Sequence, residues 1–348
     1  MNEHNIMTSS QDGAEAIAEL DAKDFLQLLY QAPETAILLW TLAVREYLYN
    51  GEKKLEALVA EFNEGRTEAS SATRQAEVRV VIASACRRIG KLEKAEEYLK
   101  QAEVFAAESG RQYPKMEIMK ERGMIFVEGG EHSKAAYEFF RAASGYNEQV
   151  DRPRNAHARR LAALHAFYGL FLADAGESEL FVGLAAIKEA NTHLLSIQGE
   201  DKTHNTIQAI CDKLFAEWCM ANFSTNCFKE IIVLKDILQR DAAMRHAFGW
   251  SATILEAAVS ILTEEFEELE RMRIAVELLS KDESVPRQYR EDAALAAIDI
   301  AAAQSDDELS GDTLQKIIGL ARNGHGVARK RAQNLLLKTV MARSSSDE

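Results

Sequence analysis

Two stretches of this chain hold basic side chains dense enough to bind an anion or an acidic surface. The first is Arg152, Arg154, His157, Arg159 and Arg160, which cluster around Pro153 at the start of an expected helix. Unpaired N–H groups at a helix N-terminus attract anions, and arginine forks match phosphate and carboxylate oxygens. The same residues also suit an exposed helix face paired with acids of a neighbouring helix. The second stretch is Thr313–Ser346, which holds seven bases and no acid. Arg329, Lys330, Arg331 and Lys338 are its candidate contacts. Within a chain of formal net charge −14 this is a clear asymmetry. Nucleic acid is disfavoured as its target, because the segment lacks aromatic residues on which bases could stack. Two other accounts remain open. The segment packs on the acidic stretch Glu256–Glu283 of its own chain, or it joins two copies as a homodimer.

Catalytic and metal chemistry find less support. The stripe Glu264, Glu265, Glu267, Glu268 and Glu270 has no histidine at Glu-x-x-His spacing, which an inward-facing metal site on helices needs. It is expected to be a solvated helix face, and no metal or other cofactor is expected. Cys86, Cys211, Cys219 and Cys227 form no CxxC pair and are expected to be buried free thiols. Phe215, Trp218, Phe223, Phe228, Phe248 and Trp250 suit a core better than a pocket. Phosphate-loop, dinucleotide, zinc-protease and nucleophile-elbow motifs are missing, so no catalytic residue is assigned and the chain is expected not to be an enzyme.

The elements that must carry these residues are helices. Of 348 residues, 47 % are hydrophobic and only 4 are proline. Ala, Leu and Glu dominate, and runs of β-branched residues are nearly absent. Prolines 33, 114, 153 and 286 and a series of glycines cut the chain into helical segments. The expected spans are 14–30, 33–50, 52–63, 68–89, 92–110, 113–129, 132–147, 154–175, 178–197, 203–223, 226–240, 242–262, 264–281, 285–303, 308–322 and 325–342. Residues 1–13 and 343–348 are expected to be tails around a single body at 14–342. The start of the chain has no basic and apolar leader, and no apolar run is long enough to span a bilayer. The expected location is cytoplasmic, with no membrane contact.

One stretch nearly repeats itself forty residues on. Ala83, Cys86, Gly90, Ala95, Leu99 and Ala102 are followed by Gly123, Phe126, Gly130, Ala135, Phe139 and Ala142. The small residues allow helices to approach closely, the large ones fill between hairpins, and the glycines close turns. A weaker third copy is Gly169, Leu172, Gly176, Gly183, Ile187 and Ala190, with two extra residues at the turn. The order resembles the tetratricopeptide repeat over residues 68–197, with a longer period. With the sixteen expected helices, that resemblance implies an all-α, right-handed α-solenoid of about eight antiparallel hairpins, tetratricopeptide-like in its first half, with a concave face that receives a partner peptide. Beyond residue 200 the pattern is not matched, and another helical-repeat type is equally open there. The lysine and asparagine clamp for carboxylates found in some members is not implied. Its positions here are Val80, Ser84, Glu117 and Glu121.

The expected function is therefore a non-catalytic scaffold or adaptor that binds a partner peptide or helix. Arg79, Arg87, Lys120 and Glu121 are its expected groove-facing residues. A ligand- or peptide-sensing regulatory module in transcription or signalling is the alternative.

Overall fold

The structure is a computed structural model and describes residues 22–31, 52–63, 71–147, 153–196, 202–263, 265–304, 310–324 and 326–346. Every regular element among these residues is an α-helix. In chain order they are α1 (Ala22–Gln31), α2 (Glu52–Asn63), α3 (Ala72–Arg88), α4 (Leu92–Ser109), α5 (Gln112–Glu128), α6 (His132–Asn147), α7 (Pro153–Leu172) and α8 (Glu177–Ser196). Then come α9 (Lys202–Cys219), α10 (Cys227–Arg240), α11 (Ala242–Ser260), α12 (Phe266–Lys281), α13 (Arg287–Gln304), α14 (Gly311–Asn323) and α15 (Gly326–Ser346). The helix expected at 33–50 and the tail at 1–13 lie outside the described residues. At the other end, α15 runs past the boundary expected at 343.

Helix starts follow local chemistry. Ser71 accepts from Arg74 N–H, Asp241 accepts from Ala243 and Met244 N–H, and Ser310 accepts from Thr313 N–H. Each satisfies N–H groups that the first helical turn leaves unpaired.

The chain divides into two compact units, Met1–Ala162 and Ala163–Glu348. In the first, α3 packs on α4 and α5 on α6, while α3 and α4 both contact α5. In the second, α8 packs on α9, α10 on α11, α12 on α13 and α14 on α15. Alternate helices α9, α11 and α13 also meet one another, and α13 reaches α15.

The forty-residue echo has a packing basis. Ala83, Ala95, Leu99 and Ala102 are fully buried, and so are Ala135, Phe139 and Ala142. A Cβ placed on Gly123 would lie 2.8 Å from the Phe139 ring. The two turns are also alike. Gly90 (φ +75°) and Gly130 (φ +74°) adopt the left-handed conformation that suits glycine. Each donates to the carbonyl three residues back, Arg87 and Val127, and the next residue donates to the carbonyl five back, Cys86 and Phe126. This is the Schellman arrangement.

The same hydrogen bonds recur twice more without glycine. Asp174 (φ 57°) bonds Phe171 and Ala175 bonds Leu170; Ala221 (φ 51°) bonds Trp218 and Asn222 bonds Glu217. The third turn therefore sits at Asp174, not at Gly176. The length it adds over earlier hairpins goes mainly into the helix, since α8 begins six residues before Gly183 while α4 begins three before Ala95. A small and a large residue also meet across this hairpin, with the large one on the first helix. Phe167 supplies a large residue from the first helix, and Gly183 leaves room for it, its Cβ position being 3.2 Å from the ring.

Candidate functional site

The residues expected to face a groove are engaged inside the first unit. Arg87 and Glu121 are buried, and Arg87 Nε donates to Glu121 Oε1 at 2.6 Å, linking α3 to α5. Arg87 Nη1 also donates to Glu128 Oε1 at 3.0 Å. Burial lifts the Glu121 carboxyl above its ordinary value, against the pull of Arg87. Two charges taken this far from water hold each other, so neither is presented to a partner as expected. Lys120 Nζ lies 2.6 Å from Glu117 Oε2, and Tyr146 Oη donates to Glu117 Oε1 at 2.6 Å. Burial opposes the charge on Glu117, but Lys120, Tyr146 and Tyr113 outweigh it and hold this carboxyl below its ordinary value.

Arg79 is the last of the four. Its guanidinium carbon stands 4.3 Å from the centre of the Phe105 ring, and its Nη1 donates to Gln75 Oε1 at 2.6 Å. Arg79 Nε donates to Gln101 Oε1 at 3.4 Å. Arginine and phenylalanine together plug the cleft between α3 and α4.

In the next hairpin the equivalent cleft is open. Forty residues on, Arg79 becomes Met119 and Phe105 becomes Gly145. At Gly145 the Met116 side chain fills the space a Cβ would take, its Sδ 1.7 Å from that position. Met116 thus forms a floor, and Met119, Tyr137, Phe140 and Arg141 line an open groove of about 400 Å³ between α5 and α6. Tyr137 is 62 % exposed. The Arg141 guanidinium carbon lies 5.6 Å from the Tyr137 ring centre, and its Nη1 donates to Glu138 Oε1 at 3.1 Å. Sequence reasoning missed this groove. Its signal was present in the positions where the second copy departs from the first.

The basic patches are placed as follows. Arg152 and the side chain of Arg154 lie outside the described residues. Arg159 and Asn155 are buried on α7, while His157 and Arg160 are half-buried. In the C-terminal segment, Lys330 pairs with Asp174, and Arg331 Nη2 donates to Asp299 Oδ2 at 2.8 Å. Their acids therefore come from the turn after α7 and from α13, not from Glu256–Glu283. Four acids of that stretch pair with nearby bases. Glu268 pairs with Arg271, Glu270 and Glu277 with Arg273, and Glu256 with Lys235 and Arg271. Arg329 and Lys338 are exposed.

Arg331 belongs to a buried cluster in the second unit. Its guanidinium carbon stands 3.7 Å from the Trp218 ring centre, and Trp218 Nε1 donates to the same Asp299 Oδ2 at 2.8 Å. Arg331 Nη1 is buried without a hydrogen-bond partner. Nearby, burial pushes the Asp292 carboxyl up to about 7, with Arg331 pulling down and Glu291 pushing up. Burial also pushes the Cys219 thiol up to about 12. Cys86 is raised to about 11 for the same reason, so neither thiol is reactive at neutral pH. A second closed network surrounds Glu217, which accepts from Ser224 N–H and Oγ–H at 3.2 Å and lies 3.4 Å from Lys188. These clusters fasten helices and their turns.

Trp218 is core, and Phe215 and Phe223 pack against the same core. Phe228 is 45 % exposed, departing from its expected core place. Among the described residues no group of three or more His, Cys, Asp or Glu is placed to hold a metal ion. No described helix is long and apolar enough to cross a membrane.

The fold and these sites define the chain as an all-α protein built of packed helix pairs. No family model matches it, and no curated protein matches it.

Proposed function

We propose that this chain is a non-catalytic interaction scaffold whose helical hairpins stack within each unit in the manner of an α-solenoid, as the tetratricopeptide resemblance implies. The recurrence of one turn geometry at residues 90, 130, 174 and 221 supports the stacking. So do the contacts between alternate helices α3 and α5, and α9, α11 and α13. Scaffolds of this kind gain stability from neighbouring interfaces and present long surfaces to partners.

The observation that carries the function is the open groove between α5 and α6. Methionine and aromatic side chains line it. Such surfaces adapt to apolar side chains of a partner, and aromatic anchors dominate binding energy. The partner-binding surface therefore shifts from Arg79, Arg87, Lys120 and Glu121, which are engaged internally, to this groove.

The test is affinity capture of the full chain from its native host, followed by size-exclusion chromatography. A partner that co-elutes in fixed stoichiometry is the expected result. Recovery of the chain alone, at every salt concentration tried, overturns the reading.

A further inference from the structure

The second hairpin differs from the first at many positions, and four of these differences fall together at the α5/α6 groove. Glu97 and Lys100 become Tyr137 and Phe140, while Arg79 and Phe105 become Met119 and Gly145. In the first hairpin the cleft is plugged by Arg79 on Phe105 and edged by charge. In the second the plug is absent and the edge is aromatic. Core positions Ala95, Leu99 and Ala102 keep their character as Ala135, Phe139 and Ala142.

Positive charges stand beside this groove among the described residues. Lys115 stands on the same side of α5 as Gln112, Met116 and Met119 by helical register, Arg111 directly precedes the helix, and Arg141 comes from α6. Arg111 is exposed and Lys115 half-buried, and neither forms an ion pair among the described residues. Glu138, the acid beside them, is buried and taken up by Arg141. An apolar floor with cations at its rim complements a ligand of apolar face and acidic flanks.

We infer that the α5/α6 groove receives an acidic amphipathic helix from a partner protein. Its apolar side chains enter between Met119, Tyr137 and Phe140, and its acids meet Arg111, Lys115 and Arg141. The inference rests on the interaction reading above and names the chemistry of the partner.

The experiment is fluorescence anisotropy with the full chain and two labelled synthetic helices. One carries Phe and Leu four residues apart between glutamates; the other has lysines in place of the glutamates. The acidic helix is expected to bind at least about tenfold more tightly than the basic one, and to weaken as salt is added. Tyr137→Ala is expected to weaken it by about tenfold or more, as loss of an aromatic anchor does. Met119→Arg restores the first hairpin's residue and is expected to act likewise. Arg141→Glu takes away the partner of buried Glu138, so it is combined with Glu138→Gln; Arg141→Glu/Glu138→Gln is expected to weaken the acidic helix and strengthen the basic one. Circular dichroism melts of each variant confirm folding.

The inference is overturned if neither helix binds, if both bind equally, or if all three variants leave the dissociation constant unchanged. Its failure is separable from that of the scaffold reading. If wild type and Tyr137→Ala capture the same stoichiometric partner from the host equally well, the scaffold stands and the groove assignment falls. If the acidic helix binds in the groove but no host complex forms, the groove chemistry stands and the scaffold reading falls.

Discussion

Gly123→Ala probes the packing shared by the two clearest hairpins. The added Cβ would sit 2.8 Å from Phe139 Cε1 and 2.9 Å from Cζ, well inside ordinary contact. Phe139 is fully buried, so the ring has no solvent to retreat into. Overpacking of this kind costs about 1–3 kcal/mol. Alanine in mid-helix returns about 0.5–1 kcal/mol relative to glycine. The net loss expected is about 1–2 kcal/mol. The first hairpin holds Ala83 and Leu99 at the same two places, both fully buried. Phe139→Leu alone removes three buried carbons, worth about 2 kcal/mol at ~0.8 kcal/mol each. In Gly123→Ala/Phe139→Leu the new methyl takes space that the ring has left. The double variant should then be more stable than the sum of the singles by about 1–3 kcal/mol, the size of coupling seen between touching residues. Urea unfolding followed by circular dichroism measures all four proteins. Strict additivity, or a Gly123→Ala variant as stable as wild type, would refute the idea that both hairpins use one small-against-large solution.

Three further outcomes follow from the buried polar groups. Asp292, at about 7 against an ordinary 3.8, keeps in the folded state a proton that the unfolded chain releases. Its contribution to stability is therefore full below about pH 4 and fades as pH rises toward 7, with a ceiling of about 4 kcal/mol. Asp292→Asn should raise the melting temperature at pH 7.5 and leave it nearly unchanged at pH 4, as thermal melts at both pH values will show. Arg87→Leu strands Glu121 in the interior and should cost about 2–4 kcal/mol, while Arg87→Leu/Glu121→Leu should recover much of that, both read by urea unfolding. Arg331→Ala removes the cation over Trp218 and the partner of Asp299. It should cost about 2–3 kcal/mol and speed amide hydrogen exchange in α15 more than in α9.

Local sequence determined much of this protein. The helical period, the capping residues and the turn glycines act within a few positions of chain, and they placed most helix ends within about four residues of where they fall. The small and large residues of the forty-residue echo carried the first two hairpins, because their contacts repeat at constant separation. Tertiary structure decided the rest. Asp174 and Ala221 close turns in the left-handed conformation without glycine, and nothing in the local pattern announces it at Ala221. The exchange of Gly and Phe between the two helices of the third hairpin keeps the volume and hides the pattern. Arg87 with Glu121, and Arg331 with Asp299, lie 34 and 32 residues apart, and no local rule pairs them. The groove is the intermediate case. Met119 and Gly145 were visible as departures from the repeat, but that they leave one open cleft follows only from how α5 lies against α6.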